Sequence, residues 1–311
     1  MRTELICEKG SLYRDSFKIQ GYIFGTGKKS LCIIGNMRGN EYQQIYVCAQ
    51  LIQAFKEAEK QDLLVPGHEI LVIPSANPYS MNIEKRFWPI DNTDINRMFP
   101  GYDKGEATQR IADVIFKRIQ GYEYGIQLAS NYLPGEFMSH INVMKTGFED
   151  LPSAMTFGVP YVILREPRPY DTTTLNYNWQ IWETRAFSLY TTGTTRINRE
   201  SAKKGVEAVF TFMRAQGLIL GEANEAPGQS RLVNEGEDIF SIRSEEAGLL
   251  DSEVQVGDRV RPGMLLARIL NPLDGEVLEQ LYAPEGGTVY FVHGGPLAYG
   301  HTAVIKIVRD E

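Results

Sequence analysis

The run Ile70-Leu71-Val72-Ile73-Pro74, followed by Asn77-Pro78-Tyr79-Ser80-Met81-Asn82-Ile83-Glu84-Lys85-Arg86-Phe87-Trp88-Pro89-Ile90-Asp91-Asn92-Thr93-Asp94-Ile95-Asn96-Arg97-Met98-Phe99-Pro100-Gly101, decides how the chain is read. The first run is short, continuous and apolar, the pattern of a strand covered on both faces. The longer stretch therefore sits on a loop at a strand's carboxyl end, where open α/β sheets build their sites. It carries Arg86 and Arg97, with Asn96 directly before the second. A guanidinium fork beside an amide matches both oxygens of a carboxylate. The same residues also suit a long surface loop whose Arg and Asp side chains pair with each other, and the chemistry alone leaves both readings open.

Working outward, Leu31-Cys32-Ile33-Ile34-Gly35 is a second continuous apolar run. Residues 41–60 then predict a helix, with Ile45, Ala49, Ile52 and Phe55 as its buried stripe. Residues 1–30 read as short strands and turns punctuated by Gly21, Gly25 and Gly27. Residues 107–120 predict an amphipathic helix with Ile111, Val114, Ile115 and Ile119 inward. Strands are expected over 124–128 (interrupted by Gly125), 161–164 and 185–191. A closing helix is expected over 198–216, with Asn198 as N-cap and Gly217 just past its end. Strands alternating with crossover helices predict an α/β fold of three layers, a mostly parallel or mixed sheet between helices.

The expected boundaries are an α/β domain over 1–220, a linker over 221–230 and a β-rich domain over 231–311. The linker, Gly221-Glu222-Ala223-Asn224-Glu225-Ala226-Pro227-Gly228-Gln229-Ser230, is polar and rich in turn formers. Beyond it come short β-type runs split by Gly and Pro, with no convincing helix. Residues 256–266, from Val256 to Leu266, resemble the hammerhead turn of lipoyl- and biotinyl-type barrel sandwiches, and Ala283 to Val289 resembles their later turn. Those carriers place an acceptor Lys between the two turns. Here residues 269–282 contain no Lys, so lipoate or biotin attachment at that position is excluded.

The 311 residues allow one large domain and a small appendage. A hydrophobic content of 43% with 23% charged residues is ordinary for a soluble globular chain. The net charge of −7 argues against nucleic-acid or anionic-membrane partners. Cys7, Cys32 and Cys48 are odd in number and widely spaced, which points to buried thiols rather than a disulfide framework. The N-terminus lacks the apolar core of a signal peptide and no run is long enough to span a bilayer, so the expected setting is the cytoplasm.

Asn77, Pro78, Arg86, Pro89, Asp91, Asp94, Asn96, Arg97, Phe99, Pro100 and Gly101 stand at the spacings of one long pattern. In that pattern the chain resembles the succinylglutamate desuccinylase and aspartoacylase family, the deacylase branch of the zinc carboxypeptidase fold, with Ile95 in place of Leu. The resemblance implies that Asn96 and Arg97 hold a substrate carboxylate and that Arg86 polarises the scissile carbonyl. It also implies a zinc ion held by two His and one Glu, a further Glu as general base, and a β module capping the catalytic domain.

The chain departs from the family at the metal. In Gly35-Asn36-Met37-Arg38-Gly39-Asn40-Glu41, Glu41 matches a ligand but Arg38 stands where the first His belongs. A guanidinium stays protonated and has no lone pair to give. Gln127-Leu128-Ala129 replaces the second His, at Ala129, together with the acid that orients it, and Tyr190 takes the place of the general base. None of the four histidines begins a His-x-x-Glu: His68 precedes a strand at the sheet's far end, and His293 and His301 belong to the β region. His140 follows the lost second ligand and is expected to make an ordinary polar contact. No tightly bound zinc and no other cofactor are therefore expected.

Arg38 itself allows two readings. It partly neutralises Glu41 and joins Arg86 and Arg97 in a three-arginine anion site, or it merely pairs with Glu41 and leaves no ligand site. Tyr170, Tyr177, Trp179 and Trp182, near Thr172 to Thr174, either line a pocket or serve as core or subunit contact. The function expected is the binding of a small carboxylate, an N-acyl amino acid or short peptide, without zinc and with impaired catalysis. The alternatives are a working deacylase that releases an amino acid from its N-acyl form, and a non-catalytic scaffold; an oligomer is compatible with each.

Overall fold

In the computed structural model Leu31 and Ile33 pack into one apolar cluster, and Cys32 and Ile34 into another on the opposite face of the same sheet. A strand apolar at every position is buried on both sides, so helices must cover both faces. The structure describes residues 1–10, 15–221 and 230–310, which leaves all but the first and last residues of the expected linker outside it.

The chain divides into two compact units. One is Met1–Ser130 with Ser139–Arg231, the other Asn131–Met138 with Leu232–Glu311. The expected boundaries are contiguous, whereas residues 131–138 leave the first unit and return to it at residue 139. The reason is a strand pairing invisible to local pattern: Phe137 pairs with Phe291 across two antiparallel strands of the second unit.

The strands up to the end of the first unit are β1 (Arg2–Lys9), β2 (Phe17–Gly25), β3 (Gly27–Ile34), β4 (Gly67–Ile73), β5 (Tyr124–Ala129), β6 (Gly135–Phe137, of the second unit), β7 (His140–Met144), β8 (Tyr161–Arg165) and β9 (Arg185–Tyr190). The large sheet runs β1-β2-β4-β3-β5-β9-β7-β8. Pairs β3–β4, β3–β5, β5–β9 and β7–β8 are parallel, and β1–β2, β2–β4 and β7–β9 antiparallel, so the sheet is mixed. Its helices are α1 (Tyr42–Lys60), α2 (Pro78–Met81), α3 (Ala107–Ile119), α4 (Leu151–Ala154), α5 (Leu175–Ile181) and α6 (Arg199–Ala215). α1 and α6 cover one face of the sheet, and α3 and α5 the other.

Each fully buried Leu, Ile or Phe in these layers contributes about 1.5–3 kcal/mol. The buried face of α1 is Val47, Cys48, Leu51, Ile52, Phe55 and Ala58, which corrects the expected stripe: Ile45 is half-buried and Ala49 exposed. β1 and β2 are long strands rather than short ones, β3 begins already at Gly27, and β7 was not expected. Asn198 caps α6 by accepting the Ser201 N–H at 2.9 Å. β5 runs unbroken through Gly125, against which Trp179 lies; a Cβ there would sit 2.8 Å from Trp179 Cε3.

In the second unit a five-stranded sheet includes Ile239–Arg243, Ala303–Arg309, Gly287–His293 and Arg259–Val260, with β6 on the third of these. A four-stranded sheet runs Val277–Tyr282, Leu265–Leu270, Gly248–Ser252 and Leu297–Ala298. Leu266, Ile269, Val289, Val304 and Ile305 share one core. A four-residue helix, Glu235–Asp238, stands where none was expected. All three cysteines are free and buried. No helix among the described residues is long and apolar enough to cross a membrane.

Candidate functional site

β3, β4 and β5 end side by side, and the loops leaving their carboxyl ends bring the sequence-predicted residues together. The loop after β3 is held by Asn36, at a positive φ of 40° that Asn tolerates better than most residues. Asn36 Nδ2 donates to Arg38 O at 2.9 Å and to Glu41 O at 3.4 Å, and Asn36 Oδ1 accepts from the Ser75 hydroxyl. Gly39 then passes so close to the loop after β4 that a Cβ would sit 2.3 Å from Lys85 O, and its N–H donates to Arg86 O at 3.0 Å. In the second loop Asn77 caps α2 by accepting the Ser80 N–H at 3.2 Å, with Pro78 in the first helical turn.

Between these loops lies a buried ion cluster. Arg38 Nη1 donates to Glu41 Oε1 at 3.1 Å and the Arg38 backbone N–H to Glu41 Oε2 at 3.1 Å. Arg38 Nε and Nη2 both donate to Asp94 Oδ2, at 3.0 and 2.9 Å. The Ser130 hydroxyl adds a third donor to Glu41, on Oε1. Arg38 and Asp94 are each 8% exposed and Glu41 1%, so water screens this cluster little. Burial works against the Arg38 charge, but Glu41 and Asp94 outweigh it and hold the guanidinium's pKa above its ordinary value. Three of the five guanidinium N–H groups are thus committed to two carboxylates. Of the two readings of Arg38, the contacts show the pairing: Arg38 is the counter-ion of Glu41 and also of Asp94.

Asp94 links this cluster to Asn96 and Arg97. Its Oδ1 accepts the Asn96 N–H at 3.0 Å and caps the short 3₁₀ turn Ile95–Arg97, and its Oδ2 lies 3.7 Å from Arg97 Nε. Asn96 Oδ1 accepts from Gln127 Nε2 at 3.2 Å, so the residue read as a lost orienting acid orients Asn96. Among the described residues Asn96 Nδ2 donates to none. Arg97 lies over the Tyr170 ring at 5.0 Å, with Nη1 3.5 Å from Tyr170 O and its side chain 36% exposed. The Arg86 guanidinium carbon lies 5.6 Å from the Phe87 ring.

The aromatic segment divides: Tyr170 meets Arg97, Trp179 is core, and Trp182 is exposed with its edge on Phe116. Ala129, Tyr190 and His140 stand in register across β5, β9 and β7, and the His140 and Tyr190 rings stack at 4.5 Å. Sequence reading missed Asp94 as a hub and Ser130 as a donor to Glu41. Asp94 stood in the quoted pattern, but a pairing across 56 residues leaves no local spacing to find. A cavity of about 630 Å³ lined by Lys28, Gln120, Tyr122, Glu123, Trp182 and Thr184 opens at the amino ends of β3, β5 and β9, the opposite end of the sheet.

The zinc implied by the resemblance does not fit these residues. Among the described residues no three His, Cys, Asp or Glu side chains come together to hold a metal. At the two nitrogen-ligand positions stand Arg38, which can only donate, and Ala129, which has no donor atom.

Residues 27–216 match the family model of the succinylglutamate desuccinylase/aspartoacylase catalytic domain. A curated relative, the N-alpha-acetyl-L-2,4-diaminobutyric acid deacetylase of Halomonas elongata, is 23% identical over 92% of this chain and 83% of its own length. A succinylglutamate desuccinylase structure from Silicibacter superposes with a TM-score of 0.78 at 18% identity, covering 94% of this chain and 90% of the other. The product-bound ectoine utilization protein EutE (DoeB) from Ruegeria pomeroyi gives 0.76 at 19%, covering 95% and 90%. At such identities the superpositions speak for the fold alone, an α/β fold with mixed sheets. The family match spans more than half of the 311 residues and contains Arg86, Asn96 and Arg97, and the chain belongs to the succinylglutamate desuccinylase/aspartoacylase family.

Proposed function

We propose that the protein binds a small carboxylate-bearing molecule of the N-acyl amino acid class, with Asn96 and Arg97 as the carboxylate clamp and no resident zinc. One observation carries this: on a single capped turn, the Asn96 amide has an unspent Nδ2 and its neighbour Arg97 keeps a third of its side chain exposed. A fork and an amide on consecutive residues supply the converging donors a carboxylate needs. Asp94 and Gln127 fix both residues from behind, which limits the ordering cost of binding. Within this proposal the fold is of zinc carboxypeptidase-like type, and the setting is cytoplasmic without nucleic-acid or membrane partners, in keeping with the charge of −7.

A second reading has the better support from the relatives: the family model is of a catalytic domain, and the Halomonas relative, a deacetylase by name, aligns with 92% of this chain. In it the protein hydrolyses an N-acyl amino acid and Arg86 polarises the scissile carbonyl. Glu41 already accepts from Arg38 through both oxygens and from Ser130, so hydrolysis needs a base other than Glu41 as it stands.

Calorimetric titration with a panel of N-acetyl-L-amino acids, including N-acetyl-L-2,4-diaminobutyrate, separates the readings when zinc content and amino-acid release are measured alongside. Binding without release, lost in Arg97→Ala, is the expected result. Release of amino acid that tracks with stoichiometric zinc moves the assignment to the deacylase. No binding to any member of the panel leaves the fold as a scaffold.

A further inference from the structure

We propose that the Arg38 guanidinium is a built-in substitute for the family's metal: it joins Glu41 to Asp94, and Asp94 in turn sets the Asn96–Arg97 clamp. Such a role presupposes the carboxylate clamp proposed above. It follows from where the contacts go. The family's metal would be held by Glu41 and two imidazoles; here a fixed cation takes up Glu41 and reaches Asp94 as well, with three N–H groups at 2.9–3.1 Å to Glu41 Oε1 and Asp94 Oδ2. The planar fork makes the geometry directional, which a Lys ammonium at the same place cannot reproduce.

Asp94 carries the effect onward. Oδ2 takes both Asp94-directed N–H groups of Arg38 and lies 3.7 Å from Arg97 Nε, while Oδ1 takes the Asn96 N–H. One carboxylate therefore contacts the cation that stands in place of the first His and both clamp residues. Arg38 is on this account a positioning residue that acts through Asp94. If instead it only neutralises Glu41 in a decayed site, changing it alters stability and leaves the clamp's affinity alone.

The test uses the full chain, with and without 1,10-phenanthroline, followed by melting midpoint and by titration with the N-acetyl-L-amino acid panel. The chelator is expected to change neither. Arg38→Lys, which keeps the charge and loses the fork, and Asp94→Asn, which keeps the Asn96 cap and loses the charge, are each expected to weaken binding about tenfold or more. Should Arg38→Lys not fold, the neutral triple variant Arg38→Met/Glu41→Gln/Asp94→Asn replaces it, and a normal midpoint with about tenfold weaker binding supports the same conclusion. Wild-type affinity in Arg38→Lys or in the triple variant overturns the proposal. So does a midpoint that falls with chelator and returns with zinc. If the wild type binds no member of the panel, the clamp fails and the proposal with it; binding that is lost in Arg97→Ala but unchanged in Arg38→Lys overturns the proposal alone.

Discussion

Two arginines less than one loop apart in space behave as opposites. Arg38 is buried between Glu41 and Asp94 with three N–H groups spent, whereas Arg97 lies at the rim, over the Tyr170 ring and 36% exposed. The side chain is the same and the burial differs. A buried cation balanced by two carboxylates stabilises only as a set, because any member removed leaves an unpaired charge out of reach of water. A rim cation is screened, contributes little to folding and keeps donors for a ligand. Asp94 touches both, so one carboxylate joins a buried charge to a half-exposed one.

The strongest way to break this contrast is Arg38→Met. Glu41 and Asp94 then lose their cation in a site where both are buried, and the expected cost is about 3–5 kcal/mol. For a unit of this size that lowers the melting midpoint by roughly 10 °C. Thermal unfolding followed by circular dichroism measures it, and a loss below about 1 kcal/mol would show that the cluster is wet or rearranges freely. A smaller effect is expected at Gly125→Ala, where the added methyl meets Trp179 in the core beneath the site: about 1–3 kcal/mol in the same assay. A core cost exceeding that of Arg38→Met would reverse the ranking of packing and charge in this unit.

Much of this was legible in the chain, for identifiable reasons. Leu31 to Ile34 and Ile70 to Ile73 announce themselves because a strand buried on both faces has no polar position to confuse the pattern. β7 did not, since Asn142 in its middle breaks the apolar run in His140-Ile141-Asn142-Val143-Met144. The α1 stripe was misplaced because Ala49 counts as apolar but loses almost nothing by exposure, while Val47, Cys48 and Leu51 face the core. Asn96 and Arg97 could be singled out together because they are sequence neighbours. The hub could not: Arg38 and Asp94 lie 56 residues apart, and Ser130 meets Glu41 across 89. Spacing reports what one element presents, and only the sheet's strand order says which loops meet.

Acid sharpens the contrast at the rim. Asp171, the carboxylate that anchors the turn carrying Tyr170, is buried, which opposes its charge. Arg165 Nη1 at 2.6 Å and the Arg168 backbone N–H at 2.8 Å outweigh that and hold its pKa below the ordinary 3.8. A depressed folded-state value means that stability is present above about pH 4 and is lost as pH falls through the folded value. Asp171→Asn is therefore expected to lower the midpoint at pH 7 and to flatten its decline below about pH 4, measured by melting curves between pH 2 and pH 7. An unchanged acid slope would show that the turn is not held by this charge.

The smallest expected effect on stability is the most telling for the clamp. Arg97→Ala removes a guanidinium whose nearest carboxylate oxygen is 3.7 Å away and whose hydrogen bond to Tyr170 O is long, at 3.5 Å. The fold should lose no more than about 0.5 kcal/mol, the usual range for a screened surface charge, plus a little for the contact with the Tyr170 ring. A charge kept at the rim with so small a part in folding has its donors left for something outside the chain. Binding of an N-acetyl-L-amino acid should fall at least tenfold in the same variant, the loss of a charge-assisted pair. A midpoint that drops as far as in Arg38→Met would place Arg97 inside the structural cluster and remove the distinction between the two arginines.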